Sequence, residues 1–187
     1  MEHIYKRFPI SETEYLDLNA QFGRLCEHAA WELIRKNVRN NHTDNQEDVA
    51  QELRISLLRA GSYYKRQVYL ESCLKLCWDH SKTNLILRHV VAELKHLWLN
   101  KTHHGANRQK FGPYQEKLLA KMVKLLVPPH KRPSRRAPLK IDLKFRTYCK
   151  TILWNAQKNR GKKITKEKAI RTGLVSLSNF DYLGSTN

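Results

Sequence analysis

Three sets of side chains have types and spacings that could do chemistry. Phe145, Tyr148 and Trp154 fall within ten residues of one another, among Lys144, Arg146, Lys150, Lys158 and Arg160. Cations pair with phosphates and rings stack on unpaired bases, so this mixture is what capture of single-stranded nucleic acid requires. A base stacked on Tyr148 would contribute about 1 to 3 kcal/mol. The same segment also reads as a core helix with a basic outer face, because Phe145, Tyr148, Ile152 and Leu153 have helical spacing. A second set, Asp48, Gln51 and Glu52, lies on a segment with Val49, Leu53, Leu57 and Leu58 at helical spacing, whose acidic start suits the helix dipole. The third set is Cys73, Cys77 and His80, one helical face to which His89 or Cys149 could add a fourth metal ligand. Structural zinc sites usually take paired cysteines from a short loop, and cysteines among Leu70, Leu74 and Leu76 read as core. No metal is therefore expected.

His103-His104-Gly105-Ala106-Asn107 has a superficial likeness to a His-Asn nuclease loop, with His130 as a further imidazole. No Asp or Glu lies between Asn100 and Gly112, so the acidic partner that a metal-dependent nuclease needs is missing there. The chain has no phosphate-binding glycine loop, no nucleophile elbow and no clustered carboxylates in its basic half. Neither an enzyme nor a cofactor is expected.

Composition points the same way. The 187 residues carry 35 Lys and Arg against 17 Asp and Glu, a net charge of +18. Self-repulsion of that size is usually offset by a polyanionic partner, and nucleic acid is the first candidate. The charge is uneven: residues 1–60 have a net charge of −2 and residues 61–187 of +20. Hydrophobic residues make up 41%, which fits a folded soluble body. No apolar run is long enough to span a bilayer, and the first residues lack a secretory signal, so a cytoplasmic location and no membrane partner are expected.

The elements that must position these residues read as all-α. Ser11 to Glu14 has the spacing of a capping box, and Tyr15, Leu18, Phe22, Leu25, Cys26, Ala29 and Leu33 trace one face to about Arg39. Thr43 or Asp44 caps a second helix that Gly61 stops. Helices over 65–80 and about 83–99 follow, then a polar loop and a fifth helix from Pro113 that Pro128-Pro129 ends. Residues 128–138 hold four prolines with His130, Lys131, Arg132, Arg135 and Arg136, an extended basic connector. Asp142 caps a sixth helix from Leu143 to Arg160, ended by Gly161, and residues 173–187 form a nearly uncharged, loosely held tail.

Two segments together resemble region 2 of bacterial RNA polymerase sigma factors: Gln46-Glu47-Asp48-Val49-Ala50-Gln51-Glu52-Leu53 and its continuation to Ala60, and Phe145-Arg146-Thr147-Tyr148 with its continuation to Lys158. The resemblance implies that Asp48, Gln51, Glu52 and Leu58 dock on the β′ clamp helices of core RNA polymerase. It implies that the later helix lies on the minus-ten promoter element, with Phe145, Tyr148, Asn155 and Lys158 at the places that receive flipped bases. By their chemistry Trp154 joins them, Arg146, Lys150 and Arg160 neutralise phosphates, and Lys131, Arg132, Arg135 and Arg136 follow the DNA. At the two sites where housekeeping members carry wedge tryptophans stand Thr151 and Ile152. Only 29 residues follow Lys158, too few for a helix-turn-helix that reads the minus-35 element. The chain is thus similar to the late-transcription sigma factors of tailed bacteriophages. In that group a short tail binds the DNA sliding clamp, and Leu177, Phe180, Tyr182 and Leu183 have the composition for it. Alternatively these residues pack on the body, or Asp181 belongs to an acidic linker that shields the polymerase channel.

The expected organisation is a first part of the region 2-like domain over 1–64, a helical insertion and basic connector over 65–141, the minus-ten helix and its basic extension over 142–172, and the tail. The expected function is promoter-directed initiation with host polymerase, with a sliding clamp or phage co-activator as a further partner. The alternative is a general basic DNA- or RNA-binding protein with no polymerase partner.

Overall fold

The structure is a computed structural model that describes residues 2–37, 45–99 and 111–162. It is all-helical, and among the described residues there is no strand. The helices are α1 (Glu2–Arg7), α2 (Glu12–Asn37), α3 (Gln46–His80), α4 (Leu85–Leu99), α5 (Pro113–Leu126) and α6, described over 143–162. A 3₁₀ turn at Pro129–Lys131 follows α5. None of the described helices is long and apolar enough to cross a membrane.

Side chains at the helix starts explain where they begin. The capping box is formed: the Ser11 N–H donates to Glu14 Oε2 at 2.7 Å, and the Glu14 N–H to Ser11 Oγ at 3.3 Å. Thr43 and Asp44 lie outside the described residues; Asn45 Oδ1 accepts the Glu47 N–H at 3.2 Å. Asn84 does the same for Leu87 at the start of α4, and Gln115 Oε1 accepts the Gly112 N–H before α5. Asp142 Oδ1 accepts the Phe145 N–H at 2.8 Å, the cap expected for α6.

Two expected stops are absent. Gly61 lies inside α3, which runs 35 residues without a break, and Gly161 lies inside α6. An interior glycine costs a helix about 1 kcal/mol relative to alanine, which packing of the flanking turns readily offsets. The short helix α1 precedes Pro9 and carries Lys6 and Arg7 in its last turn.

The chain divides into two compact units. One joins Met1–Pro9 to Ser62–Leu139; the other joins Ile10–Gly61 to Lys140–Asn187. In the first, the later half of α3, α4 and α5 enclose Leu70, Cys73, Leu74, Cys77, Val91, Leu94, Trp98, Phe111, Leu119, Met122, Val123 and Val127. Trp98 and Phe111 meet edge-on with ring centroids 5.1 Å apart. Arg66 forms an ion pair with Glu116 across this unit, and the Lys65 ammonium donates to the Pro9 carbonyl at 2.8 Å.

The basic stretch after α5 is more tightly held than an extended connector. Arg132 donates from Nε to the Val127 carbonyl at 2.9 Å and from Nη2 to the Lys124 carbonyl at 2.8 Å, so it caps the open end of α5. The Arg135 guanidinium lies 5.5 Å from the centroid of the Tyr69 ring. Arg132 is thus held as a structural cap, a role the sequence does not display, and Arg135 is turned toward Tyr69. Lys131, Arg132, Arg135 and Arg136 are all exposed.

All four cysteines are free and buried, which leaves Cys73 and Cys77 as core. Burial pushes the thiols up from an ordinary 9.0, to about 11 for Cys26 and Cys73 and about 12 for Cys77 and Cys149. Their raised values favour the folded state below pH 9, an advantage lost as pH rises through 11 to 12. A thiol-specific reagent at pH 8 should therefore label none of them until denaturant unfolds the chain. Arg132→Ala should lower stability by about 1 kcal/mol in a denaturant titration, whereas Arg136→Ala should stay within about 0.5 kcal/mol of wild type.

Candidate nucleic-acid interface

The second unit brings the two sequence segments together. Its core comes from α2, the first half of α3, and α6. The expected apolar face of α2 buries Leu18, Phe22, Cys26, Ala29 and Leu33, although Leu25 is 37% exposed. From α3 come Val49, Ala50, Leu53 and Leu57; from α6, Phe145, Cys149 and Leu153, at i, i+4 and i+8. The Phe22 and Phe145 rings meet edge-on with centroids 6.5 Å apart. Further along, the Gln157 amide donates to the Ala29 carbonyl and to Glu32, each at 3.4 Å. A groove lined by Val49, Glu52, Leu53, Ser56, Ala156, Asn159 and Arg160 shows that the inner sides of α3 and α6 face each other.

Polar contacts reinforce this arrangement. Arg54 lies between two carboxylates, with Nη2 2.9 Å from Glu27 on α2 and Nη1 2.5 Å from Glu47 on its own helix. The Glu47 hydrogen bond, the largest cause, raises the guanidinium pKa further. Arg160 Nη1 is 3.6 Å from Glu52 Oε1. With the Glu52 side chain 56% exposed, this pair adds little stability, but it occupies two residues expected to meet different partners.

The outer side of α6 is built from an i, i+4 row. Arg146, Lys150, Trp154 and Lys158 are all exposed, Trp154 at 67%, with Thr147 and Thr151 beside them. The two threonine hydroxyls donate to the carbonyls of Leu143 and Thr147, which keeps them close to the helix surface. Trp154 therefore stands between Lys150 and Lys158 as an indole flanked by cations. Asn155 is exposed at the margin, and Tyr148 is half-buried.

Phe145 corrects the sequence reading. It is fully buried against Phe22, so it has no surface to offer a base, and its contribution is to packing. The core reading of the Phe145–Leu153 spacing holds for this residue. Arg160, 18% exposed and beside Glu52, is less available to a phosphate than Lys150 or Lys158.

On α3 the outward side carries Asp48, Gln51, Glu52, Ile55 and Arg59, all exposed, with Leu58 half-buried. The sequence reading missed Ile55. Its position seven residues after Asp48 and four after Gln51 puts it on the same face, which helical spacing alone could have revealed. At 40% exposure it is an apolar side chain among the polar ones of that face.

No known protein family, curated protein or solved structure matches the chain. Among the described residues, no group of three or more His, Cys, Asp or Glu side chains could hold a metal ion. His103, His104 and the tail residues Leu177, Phe180, Tyr182 and Leu183 lie outside the described residues.

The two aromatic residues of α6 should separate in experiment. Phe145→Ala should cost about 3 to 5 kcal/mol in equilibrium unfolding. Trp154→Ala should leave stability nearly unchanged yet weaken binding of a single-stranded oligonucleotide by about 1 to 3 kcal/mol, read by fluorescence anisotropy.

Proposed function

We propose that the chain is a sigma-like transcription initiation factor, phage-encoded, that binds core RNA polymerase and directs it to promoters through the minus-ten element. The observation that carries this reading is the packing of the acidic α3 segment and the basic, aromatic α6 segment into one unit, each with a separate exposed face. In this reading Asp48, Gln51, Ile55 and Leu58 meet the β′ clamp helices. Trp154, Tyr148 and Asn155 receive unstacked bases, while Arg146, Lys150 and Lys158 neutralise the neighbouring phosphates. The factor has no catalytic role of its own, and initiation chemistry stays with the polymerase.

The Glu52–Arg160 pair adds a constraint. Each residue is held by the other helix, so neither is the best probe of its outer face. Asp48, Gln51 and Ile55 are better placed for that purpose. Work in a bacterial cytoplasm is part of the same proposal, as is a second contact through the tail with a sliding clamp or phage co-activator.

The alternative is a general basic nucleic-acid-binding protein without a polymerase partner. It shares the steep loss of DNA affinity with salt, so DNA binding alone does not separate the two. The test is retention of purified core RNA polymerase by the tagged full chain after nuclease treatment. Wild type should retain polymerase, and an Asp48→Lys/Ile55→Ala variant should retain at least tenfold less while keeping its helical circular dichroism and its oligonucleotide affinity. Equal retention by both proteins, or none by either, would exclude the sigma-like reading and favour the alternative.

A further inference from the structure

The unit that contains α4 and α5 is the more strongly charged of the two. Met1–Pro9 and Ser62–Leu139 together hold 18 Lys and Arg against 5 Asp and Glu, a net charge of +13, whereas the unit containing α6 has +5. The surplus has a definite place on α5. Lys117, Lys121 and Lys124 share its outward face, all exposed, and make no ion pair with any described residue. The helix has one acid, Glu116, and that side chain is turned to Arg66, each member of the pair being only 17% exposed. The outward face therefore carries no compensating acid, and Tyr114 and Leu125 are exposed at its two ends. Leu119, Met122 and Val123 anchor the opposite side in the core, and Arg132 caps the end, so the lysines stand on a fixed support.

We propose that this face of α5 is a second nucleic-acid surface, which holds the phosphate backbone of duplex DNA irrespective of base sequence. Charge complementarity selects a polyanion, and the arrangement of rings selects the duplex. On α6 an exposed indole lies between two lysines, as stacking on unpaired bases demands. On α5 the three lysines follow one another with no ring between them, and Tyr114 lies beyond one end. A duplex keeps its bases stacked inside and presents phosphate charge, about one per 1.7 Å of axis. From Lys117 to Lys124 the helix rises about 10 Å, enough to meet several of those charges. Lys131, exposed in the following 3₁₀ turn, extends the same chemistry. This surface does not depend on the polymerase reading.

The test uses the full chain and a 20-base-pair duplex of arbitrary sequence, with anisotropy titrations over a range of salt concentrations. Replacing Lys117, Lys121 and Lys124 together by alanine should make the log–log salt dependence shallower by about 2 to 3, nearly one for each lost phosphate contact. The effect should be the same for unrelated duplex sequences, and the corresponding triple arginine variant should restore the wild-type slope. Loss of polymerase retention in the Asp48→Lys/Ile55→Ala variant should leave this slope untouched, which separates the two proposals. An unchanged slope in the alanine variant, or a change seen with single strands and not with duplexes, would overturn the assignment.

Discussion

The contact between Phe22 and Phe145 joins parts of the chain more than 120 residues apart, and the organisation of the second unit depends on it. Phe145 has no solvent exposure, and Cys149 and Leu153 continue its buried row against the rest of the core. Once that row is fixed, the geometry of a helix fixes the other side. Arg146, Lys150, Trp154 and Lys158 are carried toward solvent because each of the first three follows a residue of that row by one position, about 100° around the helix axis, and Lys158 continues their i, i+4 row. The same reasoning applies to α3, where burial of Val49, Leu53 and Leu57 turns Asp48, Gln51 and Ile55 to the surface. Core packing, not direct selection of each surface residue, sets which side chains are available to partners.

Electrostatics then differentiates the surfaces. Arg54 satisfies Glu27 and Glu47, and Arg160 meets Glu52, so part of the formal charge is committed inside the unit. In the other unit Glu116 is held by Arg66, and Arg132 by two carbonyls. What remains exposed is a mixed polar and apolar face on α3, a ring-and-cation face on α6, and on α5 a row of lysines with Tyr114 and Leu125 exposed at its ends. Net charge alone conceals this division.

Much of the fold was legible because helices leave local signatures. The Ser11–Glu14 box, Pro113, the Asp142 cap, and apolar residues at spacings of three and four located α2, α4, α5 and α6. Gly61 and Gly161 misled because a glycine's effect on a helix is about 1 kcal/mol, and whether it ends one depends on packing that sequence does not display. The site was half legible. Exposure of Lys150 and Trp154 followed from type and spacing, but burial of Phe145 was hidden by a motif in which an aromatic residue suits both a base and a core. Arg132 and Arg135 looked like free cations because their partners, two carbonyls and the Tyr69 ring, are identified only by the folded backbone.

In the proposed function, one helical unit presents separate faces to polymerase and to single-stranded DNA. Hydrogen exchange of the full chain tests it most directly, measured alone, with core RNA polymerase, and with polymerase plus a non-template oligonucleotide. The account predicts that polymerase slows exchange over residues 46–59 and that the oligonucleotide adds protection over 143–162. Protection of 143–162 by polymerase alone with no change at 46–59, or no polymerase-dependent protection anywhere, would contradict it.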